Sequence, residues 1–331
     1  MPQAIHPYET LTPDAVLDAL DTVGLRGDGR LMALGSYENR VYQVFLESPH
    51  LSHEQVVAKF YRPGRWSEAA LDEEHAFSAE LAAAEVPVVA PLVLDGRTLH
   101  RWQDFHFSVS PRRGGRTPEL DDFEVLEWIG RLLARLHQVG AARPFQARPA
   151  LDLQAFALEP REWLLEHEGV PLDVRSRWMA ACGAAIDAVG ETLERHPAQR
   201  LRVHGDCHPG NILWTPDQGP HFVDLDDART APAVQDLWML LSGDRTQQQR
   251  QLGALLDGYD QLREFDRREL ALIEPLRTLR LIHYSAWLAR RWDDPAFPQA
   301  FPWFGSSDYW MGQVRVLEEQ LEAMADPPLV A

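Results

Sequence analysis

VHGDCHPGNILWTPDQGPHFVDLD, residues 203–226, decides how the rest of this chain is read. Short apolar runs at Leu201–His204 and Ile212–Trp214 border a polar loop, and a third run from His221 ends on Asp224. This places Asp206, Asn211 and Asp224 at strand ends and in the connecting loop. A carboxylate, an amide five residues on and a second carboxylate thirteen later are the groups that phosphoryl transfer calls for. Asp206 is positioned to accept a hydroxyl proton. Asn211 and Asp224 offer hard oxygens suited to Mg²⁺ on the phosphates of ATP. His204 reads as a brace for the loop. Asp226 and Asp227 compete with Asp224 for the metal role, but Asp224 directly ends the apolar run, leaving Asp226 as a secondary or solvated contact.

Two rival readings apply to the same stretch. His204, Asp206, Cys207 and His208 are all metal-ligand types, yet ligands so tightly bunched rarely wrap one tetrahedral ion. A purely structural loop is the other, and the upstream sequence weighs against it. Gln55–Tyr61 has the β-branched and aromatic content of a strand, with Lys59 in its middle. A lysine there is either an edge or solvent-face residue, or the kinase lysine that contacts α/β-phosphates and pairs with a helix glutamate. A helix of the right kind follows, from Ser67 to about Ala84, with Leu71, Phe77 and Leu81 on its apolar face. Glu74 shares that face and is the expected Lys59 partner, with Glu73 as the fallback. Before them, LMALGSYENRVYQVFLE reads as two strand-like runs joined at Gly35–Asn39. That turn is either an ordinary hairpin or a loop laying backbone N–H groups and the Ser36 hydroxyl over phosphates.

At 331 residues the chain exceeds a typical single domain, and 45% apolar content supports substantial cores. A net charge of −18 argues against nucleic-acid or anionic-membrane binding, which depend on positive charge. Two cysteines, Cys182 and Cys207, give no disulfide framework. The opening MPQAIHPYETLTPDAV lacks a signal peptide's basic and apolar regions, and no apolar run is long enough to span a membrane. A monomer of the reducing cytoplasm is the expectation.

Taken in order, the first 111 residues carry an opening helix capped by Thr12 or Asp14, five candidate strands and the Ser67 helix. The strands include one at Leu92–Leu94 and one at Phe105–Ser110. Pro111-Arg-Arg-Gly-Gly-Arg116 is glycine-rich, and is either a hinge reading adenine or a solvated loop. After it, helices dominate: Asp122–Val139, Pro160–Glu168, Val174–Arg195, Ala233–Ser242, Gln247–Tyr259, Arg267–Arg291 and Asp308–Ala325. Asp236 falls in a buried pattern and must be bonded there, so it is expected to accept backbone N–H groups of the catalytic loop. The domain expectation is an N-lobe over 1–111, holding the sheet and ATP loop, and a helical C-lobe over 112–331.

HGDCHPGN followed by FVDLDDA resembles the aminoglycoside phosphotransferase/choline kinase-like superfamily, as does IGRLLARLH. Within it, GSYENRVYQV, KFYRPGRW, FVDLDDARTAPAVQDLWMLLSG and the segment from YSAWLARRWDDPAFP to FPWF look like the bacterial stress response kinase A group. The resemblance implies an α+β, bilobal protein kinase-like fold of aminoglycoside phosphotransferase type, with an antiparallel-sheet N-lobe and a mainly helical C-lobe. It implies MgATP-dependent phosphorylation of protein serine and threonine, with autophosphorylation, in a response to oxidative or envelope stress. Carried over, Asp206 is the proton acceptor, Asn211 and Asp224 bind magnesium, Asp224 also counts among active-site residues, Ser36 lies at the ATP loop and Lys59 holds phosphates. The chain lacks GxGxxG, the arginine of HRD, the DFG glycine and any APE segment, so control by activation-loop phosphorylation is not implied. Two alternatives stand beside this reading. One is a small-molecule kinase acting on an amino alcohol, homoserine-like metabolite or aminoglycoside; the other is a nucleotide-holding pseudokinase. The C-terminal arginines, Arg277 and Arg280 among them, either flank the acceptor or lie on a helix surface.

Overall fold

A computed structural model of the chain describes residues 6–331; the first five residues, part of the stretch read for a leader, lie outside them. In chain order, helix α1 (Pro13–Asp21) precedes strands β1 (Gly27–Leu34), β2 (Arg40–His50) and β3 (His53–Phe60). Helix α2 (Glu68–Ala83) and strands β4 (His100–Trp102) and β5 (Phe105–Pro111) follow. Then come α3 (Phe123–Ala141), α4 (Glu159–Glu166), α5 (Leu172–Arg195), β6 (Leu201–Val203), β7 (Ile212–Thr215), β8 (Gly219–Phe222) and β9 (Arg229–Ala231). The chain closes with α6 (Gln235–Trp238), α7 (Arg245–Tyr259), α8 (Ile273–Arg290), α9 (Ala296–Ala300) and α10 (Ser307–Ala325). Local chemistry sets the starts. Thr12 caps α1 by accepting the Ala15 N–H at 3.2 Å, and Ser67 caps α2 through Ala70 at 3.2 Å. Asp122 caps α3 through the N–H groups of Glu124 and Val125.

The chain forms two compact units, and the division is not one cut. The first takes the described residues up to Pro118 and adds Phe145–Arg148 and Pro209–Ala228; the second takes the remainder. In the first, five antiparallel strands run in the order β1-β2-β3-β5-β4. Strand alternation divides the sheet's work. Val56, Ala58 and Phe60 of β3, with Phe105, Phe107 and Val109 of β5, join Val16 and Leu20 of α1 in one buried core. The alternate residues, Val57 and Lys59 on β3 and Ser108 and Ser110 on β5, line a cavity instead. Phe145–Arg148 is bound to α2 by Glu73, whose carboxylate accepts the N–H groups of Gln146, Ala147 and Arg148 at 2.7, 2.8 and 2.9 Å.

The second unit is mainly helical. Gly130 of α3 lies against the Leu255 carbonyl of α7, and Gly258 of α7 against the Glu127 carbonyl of α3; a Cβ at either would overlap that oxygen. Close backbone approach is thus why the IGRLLARLH helix carries a glycine. Trp178 of α5 meets Trp310 of α10 edge-on at 5.4 Å, both buried.

Several expectations shift. The fourth strand is His100–Trp102; Leu92–Leu94 forms no strand, making one hydrogen bond from the Leu92 N–H to the Val109 carbonyl at 2.7 Å and an isolated bridge from Leu94 to Arg97. The Ala233–Ser242 pattern holds only a four-residue helix at Gln235–Trp238. The strand from His221 ends at Phe222, two residues before Asp224. Ala233–Leu237 is buried without a long regular helix, so apolar patterning there reports burial rather than helix length.

Candidate active site

Ser36, Lys59, Glu74, Asn211 and Asp224 all line one cavity of about 400 Å³ in the first unit. Its apolar walls include Leu34, Val41, Val57 and Leu213, and the linker contributes Pro111, Arg112, Arg113 and Gly115. The linker is a tethered loop, with Arg112, Gly114, Gly115 and Arg116 exposed. Its Arg116 exchanges two backbone hydrogen bonds with Trp214 of β7, at 2.9 and 2.7 Å. Arg112 Nε donates to Gln43 at 3.0 Å, and a Cβ at Gly115 would press on Leu213. Apolar walls edged by such backbone suit a purine ring.

Lys59 sits in the middle strand, with Val41 and Ser108 as its register partners, so it is not an edge residue. Its ammonium lies 2.7 Å from Asp224 Oδ1 and 3.4 Å from Asp226 Oδ1. Burial works against the charge, but the two carboxylates overcome it and hold the lysine well above its usual range. Glu74 is buried in the same cavity without a salt bridge to Lys59. Burial raises its carboxyl, opposed by the charges of Lys59 and Arg148. Its Oε2 has no hydrogen-bond partner. Glu73 is committed to the Phe145–Arg148 segment, which leaves Glu74 as the helix carboxylate of the cavity.

Asp224 adopts a left-handed backbone, φ 59° and ψ 59°, uncommon for a non-glycine residue and typical of functional strain. Asp226, by contrast, is buried. Burial opposes its charge, yet Arg65 and Lys59 hold the carboxyl below its usual range. Arg65 pairs with both Asp226 and Asp227, while Asn39 donates to Asp226 at 3.1 Å. Asp226 is therefore not solvated; it anchors the segment that presents Asp224, while its buried Oδ1 has no hydrogen-bond partner and faces Lys59 at 3.4 Å. The donor set fits Mg²⁺: Asn211 and Asp224 bring neutral and anionic oxygens into one cavity, beside the unbonded Glu74 Oε2. Among the described residues no three His, Cys, Asp or Glu groups gather to hold a metal, so the bunched His204–His208 ligands do not form a centre.

Asp206 belongs to the second unit, five residues of chain before Asn211. It follows β6 and Gly205, whose φ of 84° favours glycine. Asp236, fully buried, holds this turn: Oδ2 accepts the His204 N–H and Oδ1 the Gly205 N–H, both at 2.8 Å. Oδ2 also meets His137 Nε2 at 3.1 Å, and Gln235 donates to the Gly205 carbonyl at 2.9 Å. This is the bracing role expected of Asp236. His204 is buried beneath, its Nδ1 3.4 Å from the Asp206 N–H. Asp206 itself is engaged by Arg280 Nη1 at 2.5 Å, with His208 Nε2 at 3.6 Å from its other oxygen.

A further buried acid lies at the start of α6. Glu269 accepts the Val234 N–H at 2.9 Å, and burial pushes its carboxyl up from 4.5 to about 7. The folded chain then keeps a proton that the unfolded chain releases, so stability falls as pH rises between these two values. Shifted by that much, the group should cost on the order of 3 kcal/mol across the window. Glu269→Gln should remove the effect: urea midpoints of wild type and variant should diverge between pH 5 and pH 7.5, the variant gaining.

Sequence reasoning missed Arg65, Arg148 and the anchoring role of Asp226. Arg65 lies within KFYRPGRW, so the stretch was visible without its purpose. Arg148 donates to the carbonyls of Ala70, Asp226 and Ala228 and stacks over Trp66 at 4.4 Å; nothing near it in sequence signals this.

Comparison with known proteins places this geometry. The profile of the phosphotransferase enzyme family matches residues 31–273. Stress response kinase A of Salmonella choleraesuis (strain SC-B67) is 47% identical over 322 residues, covering 97% of this chain and 96% of that protein. The serine/threonine protein kinase RdoA of Salmonella typhimurium (strain LT2) is 46% identical, covering 97% and 96%. Among solved structures, amicoumacin kinase with AMP-PNP and Ca²⁺ matches with a TM-score of 0.70 at 18% identity, over 94% of this chain and 93% of that one. That likeness speaks for the fold, an α+β kinase-like fold of aminoglycoside phosphotransferase type. Among the described residues no helix is long and apolar enough to cross a membrane.

Proposed function

The chain belongs to the phosphotransferase enzyme family and, within it, to the stress response kinase A group, and on that premise we propose an ATP- and Mg²⁺-dependent serine/threonine protein kinase. It would phosphorylate proteins, itself included, as a cytoplasmic monomer in a bacterial response to oxidative or envelope stress. The observation that carries the catalytic reading is the convergence of Ser36, Lys59, Glu74, Asn211 and Asp224 on one nucleotide-sized cavity. The names of the relatives support the protein acceptor and the stress role.

In this reading the apolar walls and linker hold adenine, and Ser36 and the β1–β2 turn cover phosphates. Lys59 turns from Asp224 toward the phosphates and Glu74. Asn211 and Asp224 would hold Mg²⁺, which when bound neutralises charge on the phosphates. The acceptor hydroxyl oxygen attacks the γ-phosphorus and the bond to the β–γ bridging oxygen breaks. ADP leaves with that electron pair, and the hydroxyl proton passes to Asp206. The intact set of five cavity residues and Asp206 argues against a pseudokinase.

A second reading, a small-molecule hydroxyl kinase, is favoured by the amicoumacin kinase fold match. Incubation with γ-labelled ATP separates the two. Label should enter the chain itself and an added protein acceptor, and chelating Mg²⁺ should abolish it. Label passing only to an added amino alcohol or aminoglycoside would sink the protein-kinase reading.

A further inference from the structure

Beside Asp206, wholly within the second unit, lies a second cavity of about 410 Å³ lined by His208, Trp238, Gln248, Arg277 and Arg280 among others. None of its lining residues is acidic, in a chain whose 50 acidic residues outnumber 32 basic ones. Its cations are also held in place. Arg277 and Arg280 are three apart on α8 and so share a helix face. Arg277 lies over the Trp238 ring at 5.5 Å and meets Glu274 at 3.2 Å, while Arg280 reaches Asp206 at 2.5 Å with a side chain still 42% exposed. His208, 40% exposed at its side chain, lies 3.6 Å from the other Asp206 oxygen.

We propose that this cavity receives an acidic acceptor: a serine or threonine flanked by carboxylates, with Arg277 and Arg280 as specificity-determining residues. The inference rests on Asp206 being the proton acceptor of a kinase, and it adds the acceptor's chemical class. Arginine forks bind carboxylates bidentately, each guanidinium carrying five donors. A basic peptide or an amino sugar would meet like charges instead. The contact to Asp206 gives the charge pattern a second use. An acceptor carboxylate competes for Arg280 and draws it from Asp206, exposing that carboxylate to the hydroxyl it must deprotonate. Cationic acceptors leave the clamp closed.

The test uses three peptides that share one serine and differ only in flanking residues, either Asp/Glu, Ala or Lys/Arg, with glycerate as a small hydroxy acid. The acidic peptide should show a KM at least tenfold below that of the neutral one, and the basic peptide the highest. Arg277→Glu should raise the acidic KM at least tenfold and lower the basic KM; Arg277→Gln, gentler on folding, should raise the acidic KM severalfold without favouring the basic peptide. Fluorescence anisotropy of a labelled acidic peptide with Ala in place of the serine reads the cavity without any phosphoryl transfer. Equal KM values, a preference for the basic peptide, or acidic-peptide binding unchanged by both Arg277 variants would overturn the inference. Turnover of glycerate without the acidic peptide keeps the acidic class and removes the protein acceptor. Arg277-dependent binding with no ATP turnover on any acceptor would sink the kinase reading and leave the acidic site standing.

Discussion

Asp206→Asn should lower kcat for phosphoryl transfer about 10³-fold, the range a positioned general base supplies. The amide keeps the shape of the carboxylate and still offers Arg280 an acceptor, so the turn around Gly205 should survive. Nucleotide affinity should stay within about threefold, because Asp206 does not line the Ser36–Asp224 cavity. Single-turnover kinetics with labelled ATP, beside a nucleotide titration, make the comparison. A kcat loss under tenfold would remove Asp206 from the proton-transfer role, and equal losses of affinity and turnover would point to a folding defect.

The opposite pattern is expected of Asp236→Ala. This carboxylate accepts two backbone N–H groups at 2.8 Å and faces His137 at 3.1 Å, all fully buried. Removing it orphans three buried polar groups, each worth roughly 1–3 kcal/mol, so a loss of about 3 kcal/mol or more in urea unfolding is expected. Turnover should fall with it, because the Gly205 turn aims Asp206. Asp236→Asn, which restores one acceptor oxygen, should recover part of the stability. If Asp236→Ala leaves stability unchanged, the turn is held by its own backbone and the clamp is incidental.

The two variants differ because one carboxylate faces solvent-accessible chemistry and the other is sealed inside. Sequence alone distinguished them. Asp206 stands in a polar loop, and Asp236 among apolar residues of AVQDLWMLLS, where an acid must be bonded. Charge pairing was less readable. Spacing on α2 puts Glu74 on the inward face, whereas Lys59 is open in the sequence between an edge position and a kinase lysine; it lies on the sheet face opposite Val56, Ala58 and Phe60 and lines the cavity with Glu74. Yet the lysine's ion pairs are with Asp224 and Asp226, some 165 residues later in the chain. No local pattern states which of several carboxylates a cation meets.

What VHGDCHPGNILWTPDQGPHFVDLD determined by itself was the chemistry of the loop and the order of its groups, because strand alternation and residue type act over a few neighbours. The fold class was legible for the same reason, with five strand signals before Pro111 and helical periodicity after it. Only the tertiary structure decided that Asp226 is an anchor and that Phe145–Arg148 and Pro209–Ala228 complete the first unit. It also decided that Arg280 sits on Asp206. Each depends on groups far apart in sequence meeting where burial makes an unpaired charge costly, and such pairings are settled by packing rather than by local pattern.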